Sequence, residues 1–350
     1  MSLLVSTQSY KNDEPTPFGL LIEIDQTDGH IINQLKIDTP VEATNKNDGG
    51  RLKPGLRGLY EYQGKIYTAS WNKIFIIDKQ NLEIEKEISH QWMSDLHGIY
   101  VDQQGIWVTS SYPDAVILYD FEGTPLASLW MPETKFYTPR SEVDKEMDWR
   151  FKGKDFRGFR QYHVNHVEVK DEYVYVTGRG EKNNNGRICK FKKEDFLNKK
   201  ALEDGDISLH YQGLFGPHDG LWDGDTVWVT ETNNLSIAAI NSNQKVGFRK
   251  RVTASEKDRI RYDNFKEFLK FTYRKMIGQS DKRGGYWTRG LCINGDDIFV
   301  GQSAWAGDDK GLARIVKIDK STRLIKDCFY YDIPEYPEMR IYQIISLKTD

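Results

Sequence analysis

A chain of 350 residues with a formal charge of −3 offers no bulk basic field for nucleic acid and none for an anionic membrane. Aromatic residues make up 13% of it, nine Trp and nineteen Tyr among them, which suits strands better than helices. Three scattered cysteines, Cys189, Cys292 and Cys328, lack metal-type spacing and predict reduced thiols rather than a disulfide framework.

The first residues, 1–8, lack the basic region and long apolar stretch of a signal peptide, and no apolar run approaches the length of a membrane span. A cytoplasmic protein is expected. Strand-like runs follow at 3–7, 20–24 and 31–35. A pattern then begins that recurs along the chain. Arg57-Gly58-Leu59-Tyr60 turns at Gln63-Gly64 into Ile66-Tyr67-Thr68, and His97-Gly98-Ile99-Tyr100 turns at Gln104-Gly105 into Ile106-Trp107-Val108. Asn165-His166-Val167 leads through residues 170–172 into Val174-Tyr175-Val176. His218-Asp219-Gly220-Leu221-Trp222 turns at Asp223-Gly224-Asp225 into Val227-Trp228-Val229, and Arg289-Gly290-Leu291 turns at Asn294-Gly295-Asp296 into Ile298-Phe299-Val300. Asp-Gly and Asn-Gly between apolar runs are strong hairpin signals.

Each copy precedes two further strand-like runs, giving four antiparallel strands, as in a propeller blade. Five such units cover about residues 57–328. The ends supply a sixth: residues 341–347 read as an innermost strand with nothing after it, and the three N-terminal runs as strands lacking an innermost one. The expectation is an all-β, six-bladed β-propeller, one domain over 1–350, with N- and C-terminal strands closing one blade. A β-sandwich or a pair of β-domains is the competing architecture.

Loop lengths divide between the two faces. Short turns join the first strand to the second. The long segments, at 9–18, 38–56, 131–162, 178–186, 251–287, 304–312 and 329–340, all fall on the opposite face. One long excursion on the short-turn face, 192–206, predicts a short helix. Long loops in a compact domain are usually functional or disordered. Two insertions, 131–162 and 251–287, read as lids over one end of the central channel. In 258–276, Phe265, Phe268, Leu269 and Met276 recur at helical spacing and predict a helical lid. From 245 to 289 there are fourteen Lys or Arg against five Asp or Glu, a basic stretch that would equally suit a solvated face.

Aligning the innermost strands puts Arg57, His97, Asn165, Asp219 and Arg289 at one position, with Tyr342 or Gln343 as its equivalent in the sixth blade. These side chains are expected to converge on the axis, flanked by His163, His166 and His218. His97, His166, His218, Asn165 and Asp219 form a candidate ligand set for a divalent metal (Ca, Mg, Mn or Zn), because neutral imidazole, amide oxygen and carboxylate all bind such ions. Arg57 and Arg289 can hold a carboxylate or phosphate bidentately, with Trp287 and Tyr112 as further ligand-binding residues. His97 and His163 can act as general acid and base, so His97, His163, Arg57 and Arg289 are the catalytic candidates. The alternative is that these groups only hydrogen-bond across a water-filled channel.

Val164-Asn165-His166 and Pro217-His218-Asp219-Gly220-Leu221 resemble consecutive blade starts of the gluconolactonase/regucalcin superfamily. The resemblance implies a divalent cation on an Asn and an Asp of successive inner strands, here Asn165 and Asp219. A closer resemblance is to an uncharacterised bacterial propeller-like family, through His163-Val164-Asn165, Pro217-His218, Thr288-Arg289-Gly290-Leu291 and Val300-Gly301-Gln302-Ser303. It implies fold and site position, and no activity.

The leading expectation is a metal-dependent hydrolase or lyase acting on a small anionic or polyhydroxylated metabolite, with no nucleic-acid or membrane partner. The competing one is a non-catalytic propeller that binds a ligand or a protein through its loop-rich face. No Gly-x-Ser-x-Gly nucleophile motif occurs.

Overall fold

The computed structural model describes residues 1–8, 18–39, 55–151, 162–180, 184–198, 202–232, 234–252, 286–304, 313–331 and 339–347. Their strands form six four-stranded antiparallel sheets. The chain opens with β1 (Ser2–Gln8), β2 (Phe18–Asp25) and β3 (Ile31–Asp38), the outer three strands of blade 6. Blade 1 is β4 (Leu59–Tyr62), β5 (Lys65–Ala69), β6 (Ile74–Asp78) and β7 (Ile84–Ile88); blade 2 is β8 (Leu96–Asp102), β9 (Gly105–Ser110), β10 (Ala115–Tyr119) and β11 (Pro125–Trp130). Blade 3 is β12 (Val164–Lys170), β13 (Tyr173–Gly178), β14 (Gly186–Lys192) and β15 (Ser208–Leu214), with the short helix α1 (Lys193–Asn198) in its last connection, as expected. Blade 4 is β16 (Leu221–Asp223), β17 (Thr226–Glu231), β18 (Ser236–Asn241) and β19 (Val246–Arg251). Blade 5 is β20 (Tyr286–Asn294), β21 (Asp297–Ala304), β22 (Ala313–Asp319) and β23 (Ile325–Tyr331). Finally β24 (Arg340–Leu347) returns as the innermost strand of blade 6 and pairs with β1, Ser2 opposite Leu347 and Val5 opposite Ile344. The ring is closed by joining the two ends of the chain, as expected from the repeat.

The near-continuous apolar runs of the middle strands follow from burial on both faces. Alternate side chains of one strand feed different cores, because strand side chains alternate with a period of two. In β9, Ile106 and Val108 enter the cluster shared with blade 1, whereas Trp107 enters the one shared with blade 3. Among the described residues an apolar cluster fills each blade interface, and one of these joins Leu4, Leu21 and Leu347 of blade 6 to Leu59, Ile66 and Phe75 of blade 1. The tight turns behave as their sequences require. Gln63 and Gly64 both have positive φ, the geometry of a type I′ hairpin turn.

Glycine follows Arg57 and His97 because neighbouring inner strands touch there through backbone. A Cβ at Gly98 would lie 2.8 Å from His166 Cα and 3.0 Å from Asn165 O, and one at Gly58 would lie 2.5 Å from His97 O. Neither obstacle is a flexible side chain. Gly98→Ala should therefore force blades 2 and 3 apart and lower stability by about 1–3 kcal/mol or more. Urea denaturation checks this, and an unchanged midpoint would contradict it.

Of the 131–162 insertion, read as a lid from its sequence, residues 152–161 lie outside the described residues. Residues 131–151 pack onto the ring wall. Trp149 and Val143 are buried in the core between blades 1 and 2, and Met131 and Tyr137 in the core between blades 2 and 3. Lys145 O accepts from Trp92 Nε1 at 2.7 Å and from Gln91 Nε2 at 3.1 Å. Large aromatic anchors make this segment a buttress rather than a movable cover. The predicted helix over 258–276, and nearly all of the 251–287 insertion, lie outside the described residues.

Candidate functional site at the propeller axis

The inner strands are irregular where they approach the axis. Pairing shifts register between Leu96 and Ile99, between Val164 and His166, between Thr288 and Leu291, and between Ser6 and Thr7, opposite Tyr342. Such bulges re-aim one side chain out of the strand's alternation. The residues at these shifts are those aligned from the sequence: His97, Asn165 and Arg289, with Tyr342 as the sixth-blade member.

The side chains meet across the ring. His97 of blade 2 lies 5.6 Å from His218 of blade 4 and 5.5 Å from Tyr342 of blade 6, and His218 lies 4.6 Å from Tyr342, between ring centroids. Three non-adjacent blades can touch in this way only at the axis. The remaining blades add Arg57, whose Cζ is 5.7 Å from the Tyr342 ring, Arg289 at 5.1 Å from the same ring, and His163 at 5.2 Å from His97. Arg289 also stacks on Trp287 at 4.3 Å, and Arg340 approaches the same indole at 5.1 Å. His163, Trp287, Arg289 and Arg340 are partly exposed, whereas Arg57, His97, Asn165, His166, His218, Asp219 and Tyr342 are buried. The polar groups thus run from a half-open rim to a buried floor.

Each buried group has a defined anchor. Arg57 pairs with the Asp95 carboxylate, and its Nη1 donates to Leu96 O at 3.0 Å. The guanidinium also stacks on Trp71 at 5.2 Å. His97 Nδ1 lies 2.7 Å from Asp95 O and 3.0 Å from Ser111 Oγ. A carbonyl can only accept, so these partners assign the proton to Nδ1 and leave Nε2 with its lone pair. Asn165 Nδ2 donates to Pro217 O at 2.7 Å, which turns its Oδ1 the other way. Asp219 accepts from Gly290 N at 3.1 Å and from the Thr230 hydroxyl. Asn165 Oδ1, Asp219 Oδ1, His166 Nε2 and both nitrogens of His218 are buried with no hydrogen-bond partner among the described residues.

Burial holds His97 well below the usual imidazole range, with Asp95 opposing the shift and Arg57 reinforcing it. Burial does the same to His218, reinforced by Arg289 and His166. Asp219 is raised by burial, against the opposing pull of His166, Thr230, the Gly290 amide and Arg289. Both imidazoles are therefore neutral at pH 7. In the unfolded chain they titrate near 6.5. A base with a depressed folded pKa contributes stability above its unfolded value, lost as pH falls through it. Stability should accordingly decline as pH drops below about 6.5, and His218→Gln should flatten that decline. Urea midpoints between pH 5 and 8 measure it. A slope identical in the variant would contradict the assignment.

Not every expected partner stands in the ring. His166 is the neighbour of Asn165 on a strand and faces blade 4: its Nε2 lies 3.5 Å from Glu168, and a Cβ at Gly220 would lie 3.7 Å from its Cδ2. Tyr112 packs on Trp71 at 5.1 Å, and that indole in turn stacks on the Arg57 guanidinium. Among the described residues, the only group of three His, Cys, Asp or Glu ligand atoms lying within 4.8 Å of one another is Asp25, Asp28 and His30, of which Asp28 and His30 are exposed, on the outer side of blade 6. The axial imidazoles do not form a three-nitrogen metal centre of that compactness. His218 Nδ1 and Asp219 Oδ1, at 3.8 Å, do come together. Trp71, Asp95, Ser111, Asp114 and Arg340 are site-supporting residues that the sequence pattern does not single out. Asp95 alone carries a signal, standing two residues before His97 at a blade start.

No protein-family model and no curated protein matches the chain. Solved structures do. A chain of a nidogen/laminin complex is 12% identical over 98% of this chain and 97% of its own, with a TM-score of 0.57. A protein of unknown function from Bacteroides caccae is 9% identical over the same shares, with a TM-score of 0.56. The periplasmic gluconolactonase of Pseudomonas aeruginosa is 11% identical over 94% of this chain and 82% of its own, with a TM-score of 0.47. No helix among the described residues is long and apolar enough to cross a membrane. At these identities the likeness is one of fold, and the fold is the six-bladed β-propeller.

Proposed function

We propose that this propeller is a metal-dependent enzyme of hydrolase or lyase type. Its substrate is a small anionic or polyhydroxylated metabolite bound at the axial ring. The observation that carries this reading is the set of buried polar atoms on Asn165, His218 and Asp219 that have no hydrogen-bond partner among the described residues, together with the two guanidiniums that flank the axial Tyr342 ring. A buried polar group without a partner costs about 1–3 kcal/mol, so several together favour a site completed by something bound.

Arg57 and Arg289 bind the anionic group, Arg289 and Trp287 at the half-open rim and Arg57 held deeper by Asp95. His97, protonated on Nδ1, receives a proton at Nε2, and His163, 5.2 Å away between ring centroids, is the second proton-handling group. A divalent cation (Ca, Mg, Mn or Zn) fits best on Asn165 Oδ1, Asp219 Oδ1 and a His218 nitrogen, since mixed oxygen and imidazole donors suit such ions. When bound, it would polarise a carbonyl or lower the pKa of a bound water. The position of Asn165 and Asp219 at the starts of successive blades supports membership of the gluconolactonase-like superfamily as part of the same proposal. A cytoplasmic location belongs to it too, supported by three free cysteines, two of them buried.

A thermal-shift screen of anionic and neutral metabolites, run with and without divalent metal at low and high salt, tests the reading. Anionic compounds should stabilise the protein, less so at high salt, because screening acts over about 8–10 Å. Stabilisation by neutral compounds alone would overturn the anion site, and no effect of EDTA or added metal would remove the cation.

A further inference from the structure

We propose that Asp114 is a positioning residue of the axial site: its carboxylate grips the start of β12 and thereby sets the His163 ring against His97. Asp114 stands in the turn between β9 and β10 and is fully buried. Its Oδ2 accepts from Tyr162 N at 3.0 Å and His163 N at 2.8 Å, and its Oδ1 from Val164 N at 2.9 Å. The Tyr137 hydroxyl donates to Oδ2 as well. Three successive amides turned toward one anion form a concave backbone nest. His163 takes φ of +52° to make it, a left-handed conformation uncommon outside glycine. A conformation of that kind persists where its surroundings over-determine it. The four donors to Asp114 do so here.

The same turn grips β12 from its other side. Ser111 Oγ donates to Val164 O while lying 3.0 Å from His97 Nδ1. Tyr112, between them in sequence, supports Trp71 and through it Arg57. One four-residue turn therefore orients three members of the ring. His97 is addressed through Ser111, Arg57 through Tyr112 and His163 through Asp114. Tyr137 brings the 131–151 buttress into the same bond network, which gives that packed wall a role at the axis.

The inference rests on the ring being a ligand site, yet its test needs no ligand. Histidine-selective NMR of the full chain reads the His97–His163 proximity directly, as a nuclear Overhauser effect between ring protons. In Asp114→Asn, one accepting oxygen becomes an NH₂ group facing amide or hydroxyl donors. The Overhauser effect between His97 and His163 should vanish and both sets of ring signals should shift, while those of His30, His90 and His210 stay in place. Tyr137→Phe removes one of the four donors and should shift His163 by a smaller amount; it decides the matter if Asp114→Asn does not fold. A persisting Overhauser effect in folded Asp114→Asn, or an unmoved His163 in Tyr137→Phe, overturns the proposal. Equal movement of all seven histidines does so too, since Asp114 would then support the fold generally. If the metabolite screen fails while the two rings separate in Asp114→Asn, the function falls and the positioning role stands.

Discussion

Deleting residues 341–350 should abolish cooperative folding. β24 is the innermost strand of blade 6, and it enters the cores on both sides of that blade: Ile341 and Ile344 on the side of blade 5, Leu347 on the side of blade 1. Fully burying three such side chains contributes roughly 5–9 kcal/mol. Net stability of a protein domain is about 5–15 kcal/mol. Without β24, β1 also presents an unpaired edge, which invites pairing with another chain. The expected result is a broad, non-sigmoidal melt and aggregates in size-exclusion chromatography. A truncated chain that stays monomeric and keeps its melting temperature would show that the ring is not closed by its ends.

Asp95→Asn should cost about 3–5 kcal/mol, because it leaves one charge of a buried pair uncompensated. Asp95 and Arg57 are both almost wholly inaccessible, with side-chain exposures of 6% and 1%. Asp95 has φ of +53°, a region that Asn tolerates, so the substitution isolates the charge from the backbone. Arg57→Met added to Asp95→Asn should recover much of the loss, because it removes the guanidinium left buried without its counter-charge. Urea unfolding of both variants measures it. A loss under about 1 kcal/mol for Asp95→Asn would mean that Arg57 is held mainly by its aromatic neighbours.

The blade pattern is legible in the sequence because every blade is buried on both faces, so each repeat carries the same alternation of apolar residues and the same turn chemistry. The ring is legible for the same reason: one aligned column holds Arg57, His97, Asn165, Asp219 and Arg289. The choice between Tyr342 and Gln343 is not, since it depends on a bulge that leaves no mark in local composition. Alignment also groups Asn165 with His166, although adjacent residues on a strand face opposite ways. Asp114 is invisible to pattern because three of its four partners lie 48 to 50 residues further along the chain and are backbone amides, which carry no residue identity. The 131–162 insertion looks like a lid by length and charge. The burial of Trp149 and Met131, decided by tertiary packing, makes residues 131–151 part of the wall.

We propose that the six blades build one anion-binding site at the axis. A crystal structure with the most stabilising anionic compound from the screen tests it most directly. The account predicts that its anionic group contacts the guanidiniums of Arg57 and Arg289, with the rest of the molecule beside His97 and His163. Density for that compound on the short-turn face or an outer blade surface, with the axial ring unchanged, would contradict it.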